Sequence, residues 1–303
     1  MSSQQQFNAY PEYGGAGNSA APSTLVKPIR RDLSFELPAD KVNSWHREGL
    51  HMAHFLNALS IFFPLGERFF IDSVRNYRAR IEDPQLLEEV REFIGQEAMH
   101  SREHDIYNKA LTAQGYPADK LERVVGRVLK FFTRYTSKAQ QLEGTMALEH
   151  LTAVLANFVL THPDLFAGSD ERYAKLWRWH AIEETEHKAV AFDVFRAVKG
   201  RETPLAYVKR IVAFIISNVV FWPLVFYFHL SLVARDKALL NIAGWGRVLK
   251  QFLWKPGIFI KTVPGLLAYF KYNFHPWDHD NRDLLTQIDD VLPHSDNSMQ
   301  ASH

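Results

Sequence analysis

Two segments of this chain place a carboxylate and an imidazole three residues apart: Glu97-Ala98-Met99-His100 and Glu184-Thr185-Glu186-His187. On a helix, residues three apart share a face, so both side chains of such a segment can reach one cation. A lone Glu-x-x-His is common by chance and carries little weight. Spacing adds the specificity: Glu67 lies 30 residues before Glu97, and Glu149 lies 35 before Glu184. Those intervals suit two antiparallel helical hairpins. One Glu from each of two helices and one Glu-x-x-His from each of the other two make a dinuclear carboxylate centre. Glu67, Glu97, His100, Glu149, Glu184 and His187 are therefore the expected ligands, four carboxylates whose charge two divalent ions neutralise.

The neighbours of these residues are apolar. Glu67 sits between Ile61-Phe62-Phe63-Pro64-Leu65-Gly66 and Phe69-Phe70-Ile71, and Glu149 between Met146-Ala147-Leu148 and Leu151. A carboxylate buried there without a partner is expensive to keep ionised. Two more histidines fall one turn away on the ligand faces. His180, four before Glu184, is a candidate seventh ligand, and His104, four after His100, a weaker candidate. His150 points about 100° away from Glu149 and reads as a neighbour. Glu183 and Glu186 are off the ligand face and are expected to be solvated or ion-paired. Thr145 and Thr152 share the face of Glu149, for lining a pocket or for packing.

The elements that must position these residues are helical throughout. Pro64 is expected to open a helix through Glu67 to about residue 81, after a separate one from Asp40 to Ser60. Asp83-Pro84 starts the next, which Gly115-Tyr116-Pro117 ends. A long segment follows to about Leu160, and another runs from Asp170 to about Lys199. No run alternates with strand period. The reading is all-α: residues 1–35 a disordered tail, 36–202 the metal-binding bundle, 203–283 an apolar C-terminal helical extension, and 284–303 a second tail. Residues 211–234 form 24 positions without a charge, bracketed by Lys209-Arg210 and Arg235-Asp236-Lys237. That is long enough to cross a bilayer, but Asn218, Pro223 and His229 interrupt it. The segment reads first as a core helix buried on all sides and second as a membrane contact.

Composition narrows the chemistry. The chain has 303 residues, 47% hydrophobic, with net charge +1 and no cysteine. Thiolate zinc, iron–sulfur and cysteine-nucleophile chemistry are excluded, and any metal must use His, Asp and Glu, which favours hard first-row ions. No basic and aromatic interleaving marks a nucleic-acid surface. The opening residues lack an apolar signal core, so the expectation is cytoplasmic, with residues 211–234 the point of contact if the protein touches the inner face of the membrane.

At the six ligands the chain resembles the non-haem di-iron carboxylate proteins of the ferritin-like superfamily. Ala147-Leu148-Glu149-His150 and Trp179-His180-Ala181-Ile182-Glu183-Glu184-Thr185-Glu186-His187, with the closing Phe274-His275-Pro276-Trp277, look like a bacterial family named "predicted metal-dependent hydrolase", over about residues 36–283. His180-x-x-x-Glu184-x-x-His187 is also locally similar to the aminoarene N-oxygenases, in which an extra histidine joins the di-iron site. The resemblance implies a ferritin-like four-helix bundle holding two iron ions, or Mn/Fe or Mn/Mn. The leading expectation is an O2-activating oxidase or oxygenase on an apolar organic substrate, with an electron donor and a homodimeric assembly. The alternative is a metal-dependent hydrolase of lipid-like esters using a metal-bridging hydroxide, and the minor one an iron-storage protein.

Overall fold

A computed structural model describes residues 26–200 and 202–292, and among these the chain is all-helical, with no strand. Two antiparallel hairpins form its centre. The first pairs α1 (Leu50–Arg75) with α2 (Pro84–Ala113), and the second pairs α4 (Lys138–Thr161) with α5 (Glu171–His187). Between them α3 (Ala118–Tyr135) packs against α1 and α2. After α5 come α6 (Val190–Lys199), α7 (Pro204–Arg235), α8 (Ile242–Leu253) and α9 (Ile258–Ala268). The α7 helix lies against α1 and α4, and α9 lies against α4.

Local signals explain most boundaries. Asp83 accepts a hydrogen bond from Gln85 N, and Pro84 occupies the first turn of α2, where its missing N–H costs nothing. Gly115, at a φ of 81°, turns the chain out of α2. Ser137 and Gln140 form a reciprocal capping box that starts α4. This box divides the single long segment expected between Ala118 and Leu160. The helix expected through Lys199 likewise breaks directly after His187, giving α5 and α6.

Pro64 behaves differently from its sequence reading. It lies inside one continuous α1 rather than at a helix start, and residues 40–49 form turns. Pro64 has no N–H for the carbonyl of Ser60 four residues back. Asn108 of α2 supplies the missing donor, its Nδ2 reaching Ser60 O at 3.1 Å. The packed neighbour thus removes the reason for a break.

The tails differ too. Residues 1–25 and 293–303 of the expected tails lie outside the described residues. Residues 26–35, however, run extended over α2 and α5, with Phe35 buried on Trp179 at 5.3 Å between ring centroids. A turn at Arg282–Asp290 packs on α5. The α7 helix is not buried on all sides: Phe214, Val225, Phe228, Leu232 and Val233 face the bundle, and most of the remaining apolar side chains face out.

Candidate metal centre

The six expected ligands come together inside the bundle, each buried. Glu67 is delivered by α1, Glu97 and His100 by α2, Glu149 by α4, and Glu184 and His187 by α5. Their ligand atoms form two groups, each within 4.8 Å: Glu67, His100 and His180, and Glu97, Glu184 and His187. Glu149 joins the second, its Oε2 lying 3.5 Å from His187 Nε2. Glu184 stands between the groups. Its Oε1 is 3.0 Å from His180 Nε2 and 3.8 Å from His100 Nδ1, while its Oε2 is 3.7 Å from His187 Nε2.

One detail departs from the sequence reading. Glu97 and His100 of the first Glu-x-x-His motif address different groups, rather than one ion. Three residues rise about 4.5 Å along a helix, close to the spacing of about 3.5–4 Å between the ions of two-metal sites. Positions i and i+3 of this motif can therefore address neighbouring sites, whereas Glu184 and His187 of the second motif fall in one group.

The donor atoms fit a pair of cations. Among the described residues, both oxygens of Glu67, Glu97 and Glu149, together with Glu184 Oε2, His100 Nδ1 and His187 Nε2, are buried without a hydrogen-bond partner. Buried polar atoms are rarely left so, and a cluster of them calls for an ion. His187 Nε2 is only 3.1 Å from Glu97 Oε1 yet is not aligned with it.

Without ions the electrostatics are unfavourable. Burial, then the charges of Glu97 and Glu184, push Glu67 well above the carboxylate range, and burial does the same to Glu149. Glu97 is pushed up to about 7, chiefly by burial. Burial opposes the charge on His187, but Glu149, Glu184 and Glu97 hold it well above the usual histidine value. In the metal-free protein a proton on His187 thus stands in for part of the missing positive charge.

A second layer orients the ligands. His100 Nε2 faces Glu183 Oε2 at 3.1 Å, which leaves Nδ1 for the ion. His187 Nδ1 donates to Gln96 Oε1 at 2.9 Å, which leaves Nε2. Glu183 is buried, not solvated. It accepts from Trp179 Nε1 at 2.8 Å and pairs with Arg31 at 3.1 Å, while Arg31 also pairs with Glu186 at 2.7 Å. Sequence reasoning missed Gln96, Trp179 and Arg31. Gln96 and Glu183 each precede a ligand by one position, the only trace they leave in the sequence.

Hydrogen-bond counting distinguishes the two extra histidines. Asn108 is oriented by Nδ2 donating to Ser60 O, so its Oδ1 accepts from Ser60 Oγ at 3.0 Å. Ser60 has one proton, now used, so the His104 Nδ1 at 2.9 Å must donate to it. Burial and the charges of His180 and His100 keep His104 neutral. Its Nε2 is therefore an acceptor, and the His180 Nδ1 at 2.8 Å donates. That leaves His180 Nε2 facing Glu184 Oε1 at 3.0 Å, on the side of the ring where a bound cation would lie between them. His104, with both nitrogens engaged, stands outside both groups and orients His180.

The other expected neighbours separate in the same way. His150 turns from the centre and bonds Gly265 O at 3.0 Å. Thr145 bonds Ser73 at 2.7 Å, whereas Thr152 lines an apolar cavity of about 270 Å³. The charged residues in that cavity wall are Glu67 and Glu184, and Phe62, Phe70, Leu148 and Leu151 are among its apolar ones.

A family model described as "Predicted metal-dependent hydrolase" matches residues 29–280. No curated protein and no solved structure matches the chain.

Proposed function

We propose that this chain, which belongs to the predicted metal-dependent hydrolase family, holds two divalent cations and hydrolyses an ester-like bond in a substrate with a long apolar chain. The observation that carries the reading is the meeting of the two ligand groups with the 270 Å³ cavity at Glu67 and Glu184. Bound divalent ions supply Lewis-acid polarisation and a water acidified toward neutral pH. Glu67, His100 and His180 would hold one end of the centre and Glu97, Glu149 and His187 the other, with Glu184 between them. The apolar wall receives the substrate chain and excludes bulk water. Gly66, one residue before Glu67, lines the same cavity with no atom within 4 Å of where its Cβ would stand. A mid-helix glycine costs about 1 kcal/mol relative to alanine, and here it keeps the space beside the ions open.

A second reading, dioxygen activation by two irons, is favoured by one feature: a carboxylate-rich donor set drawn from four helices. One experiment separates the two. Protein loaded with Mn(II) or Zn(II) under argon is assayed on p-nitrophenyl esters of increasing acyl length, and protein loaded with Fe(II) is exposed to air while oxygen uptake is followed. Hydrolysis predicts anaerobic turnover that improves with chain length and falls for Gly66→Leu at equal metal content. Oxygen uptake without anaerobic turnover overturns it in favour of the second reading.

A further inference from the structure

We infer that the outward face of α7, α8 and α9 seats on an anionic phospholipid surface, so that the cavity mouth opens into the acyl layer. The docking follows from the surface alone; that the cavity draws its substrate from the bilayer rests on the two-ion hydrolase reading.

The face is apolar where a water-facing surface would be polar. On α7, Val212, Ile215, Val219, Phe226, Tyr227 and Leu230 are exposed. The following turn and α8 add Leu240 at 92%, Ile242 at 84% and Trp254 at 84% exposure, and α9 adds Ile260, Val263 and Leu267. Ring contacts of Trp222 with Phe259 and of His229 with Trp245 hold the three helices side by side, and exposed apolar side chains gathered on this scale mark a protein or membrane contact. Trp254, Tyr227 and Tyr272 are the aromatic types that settle at headgroup level.

Charge chooses the partner. Between Pro204 and His275 nine Lys and Arg accompany one acid, Asp236, although the whole chain carries only +1. Lys209, Lys237, Lys250 and Lys255 are exposed around the apolar surface. An isologous dimer through this face would set its basic residues against their own copies. Anionic headgroups neutralise them instead.

The packing of α7 fixes the mode of attachment. The helix is long enough to cross a bilayer, but Phe214, Val225, Phe228 and Leu232 are buried against the bundle. Lipid cannot surround it, so it lies along the interface with one face wet by lipid. Ile216 and Val220 of α7 and Phe131 of α3 line the cavity and are also exposed. The mouth therefore opens on the same side as the docking face, and an acyl chain reaches Glu67 and Glu184 without crossing water.

The test is co-sedimentation of the full chain with phosphatidylcholine vesicles, with and without phosphatidylglycerol. Wild-type protein should bind the anionic vesicles about tenfold or more tightly than the neutral ones. Leu240→Glu/Trp254→Glu should abolish binding, and Lys250→Glu/Lys255→Glu should remove only the anionic preference. These sites are exposed, so thermal melts and bound metal per chain should match wild type; the docking result then stands apart from the fate of the two-ion reading. Absence of vesicle binding by wild type overturns the inference. So does a lipid-free dimer, seen by light scattering, that Leu240→Glu/Trp254→Glu disperses.

Discussion

Inside the bundle, four carboxylates and three histidines are sealed from solvent, with a proton on His187 the counter-charge that the cluster itself supplies. In the C-terminal region, Leu240, Ile242 and Trp254 stand almost fully exposed. Folding alone favours neither arrangement: buried charge is costly and exposed apolar surface gains nothing. Each region fits something added: cations on the proposed two-ion reading of the one, an apolar phase on the docking inference for the other. Places where a sequence breaks the rules of burial are where function is expected, and this chain breaks them in opposite directions in its two regions.

The comparison is tested most severely at the ligands. Adding ions at a thousandfold excess over Kd should stabilise the protein by about 4 kcal/mol, read as a rise in Tm that a chelator reverses. Glu67→Gln/Glu149→Gln should abolish that rise and the second bound ion. In the chelated protein the same pair should raise Tm above neutral pH, because it removes charge that burial disfavours. A double variant that melts like wild type with and without metal would show that the interior carboxylates are ordinary structural groups.

The pH dependence follows with its sign. Glu97 is raised from 4.5 to about 7, and Glu67 and Glu149 are raised as well. A raised carboxylate binds more protons in the folded state, so its stabilisation is full below about pH 4.5 and is lost as pH rises through the folded value. The chelated protein should lose Tm from about pH 4.5 through 7, and the metal-loaded protein should not. Parallel curves would rule out carboxylate repulsion as the interior's defining strain.

Arg31 sharpens the contrast from the second layer. It is the cation that Glu183 and Glu186 share, and both acids are buried. Arg31→Ala leaves two unpaired buried charges and should cost about 3 kcal/mol in denaturant unfolding. It should also loosen metal binding by about tenfold or more, because Glu183 orients His100. A loss under 1 kcal/mol would mean that the extended segment over α5 is incidental.

The sequence exposed one of these regions far better than the other. The convergence of the six candidate ligands was legible because helix geometry converts contact into fixed intervals, 30 and 35 residues between hairpin arms. Arg31 was invisible because its partners lie 152 and 155 residues away, with no period to connect them. The continuity of α1 through Pro64 depends on a donor from Asn108, another long-range fact. The α3–α4 break could have been read from Ser137 and Gln140, a capping pattern overlooked in an otherwise helical run. For α7, the uncharged run at 211–234 marked the middle of a helix that spans Pro204–Arg235 but not its surroundings: an apolar run reads the same in a core, in lipid or at an interface.

The smallest expected effect bears on the exposed side of the comparison. Leu249 projects outward from α8 and is half exposed, at 51%. If the face is built for an apolar phase, its side chains add little to folding in water. Leu249→Ser should then change unfolding free energy by no more than about 0.5 kcal/mol, while Phe252→Ser, three residues on and buried against Phe55 at 4.6 Å between ring centroids, should cost several times more. Vesicle binding should rank them in the reverse order, falling for Leu249→Ser and holding for whatever fraction of Phe252→Ser stays folded. If Leu249→Ser instead destabilises the free protein by more than 1 kcal/mol, the side chain is part of a core in solution, and the face is covered by protein before it meets any lipid.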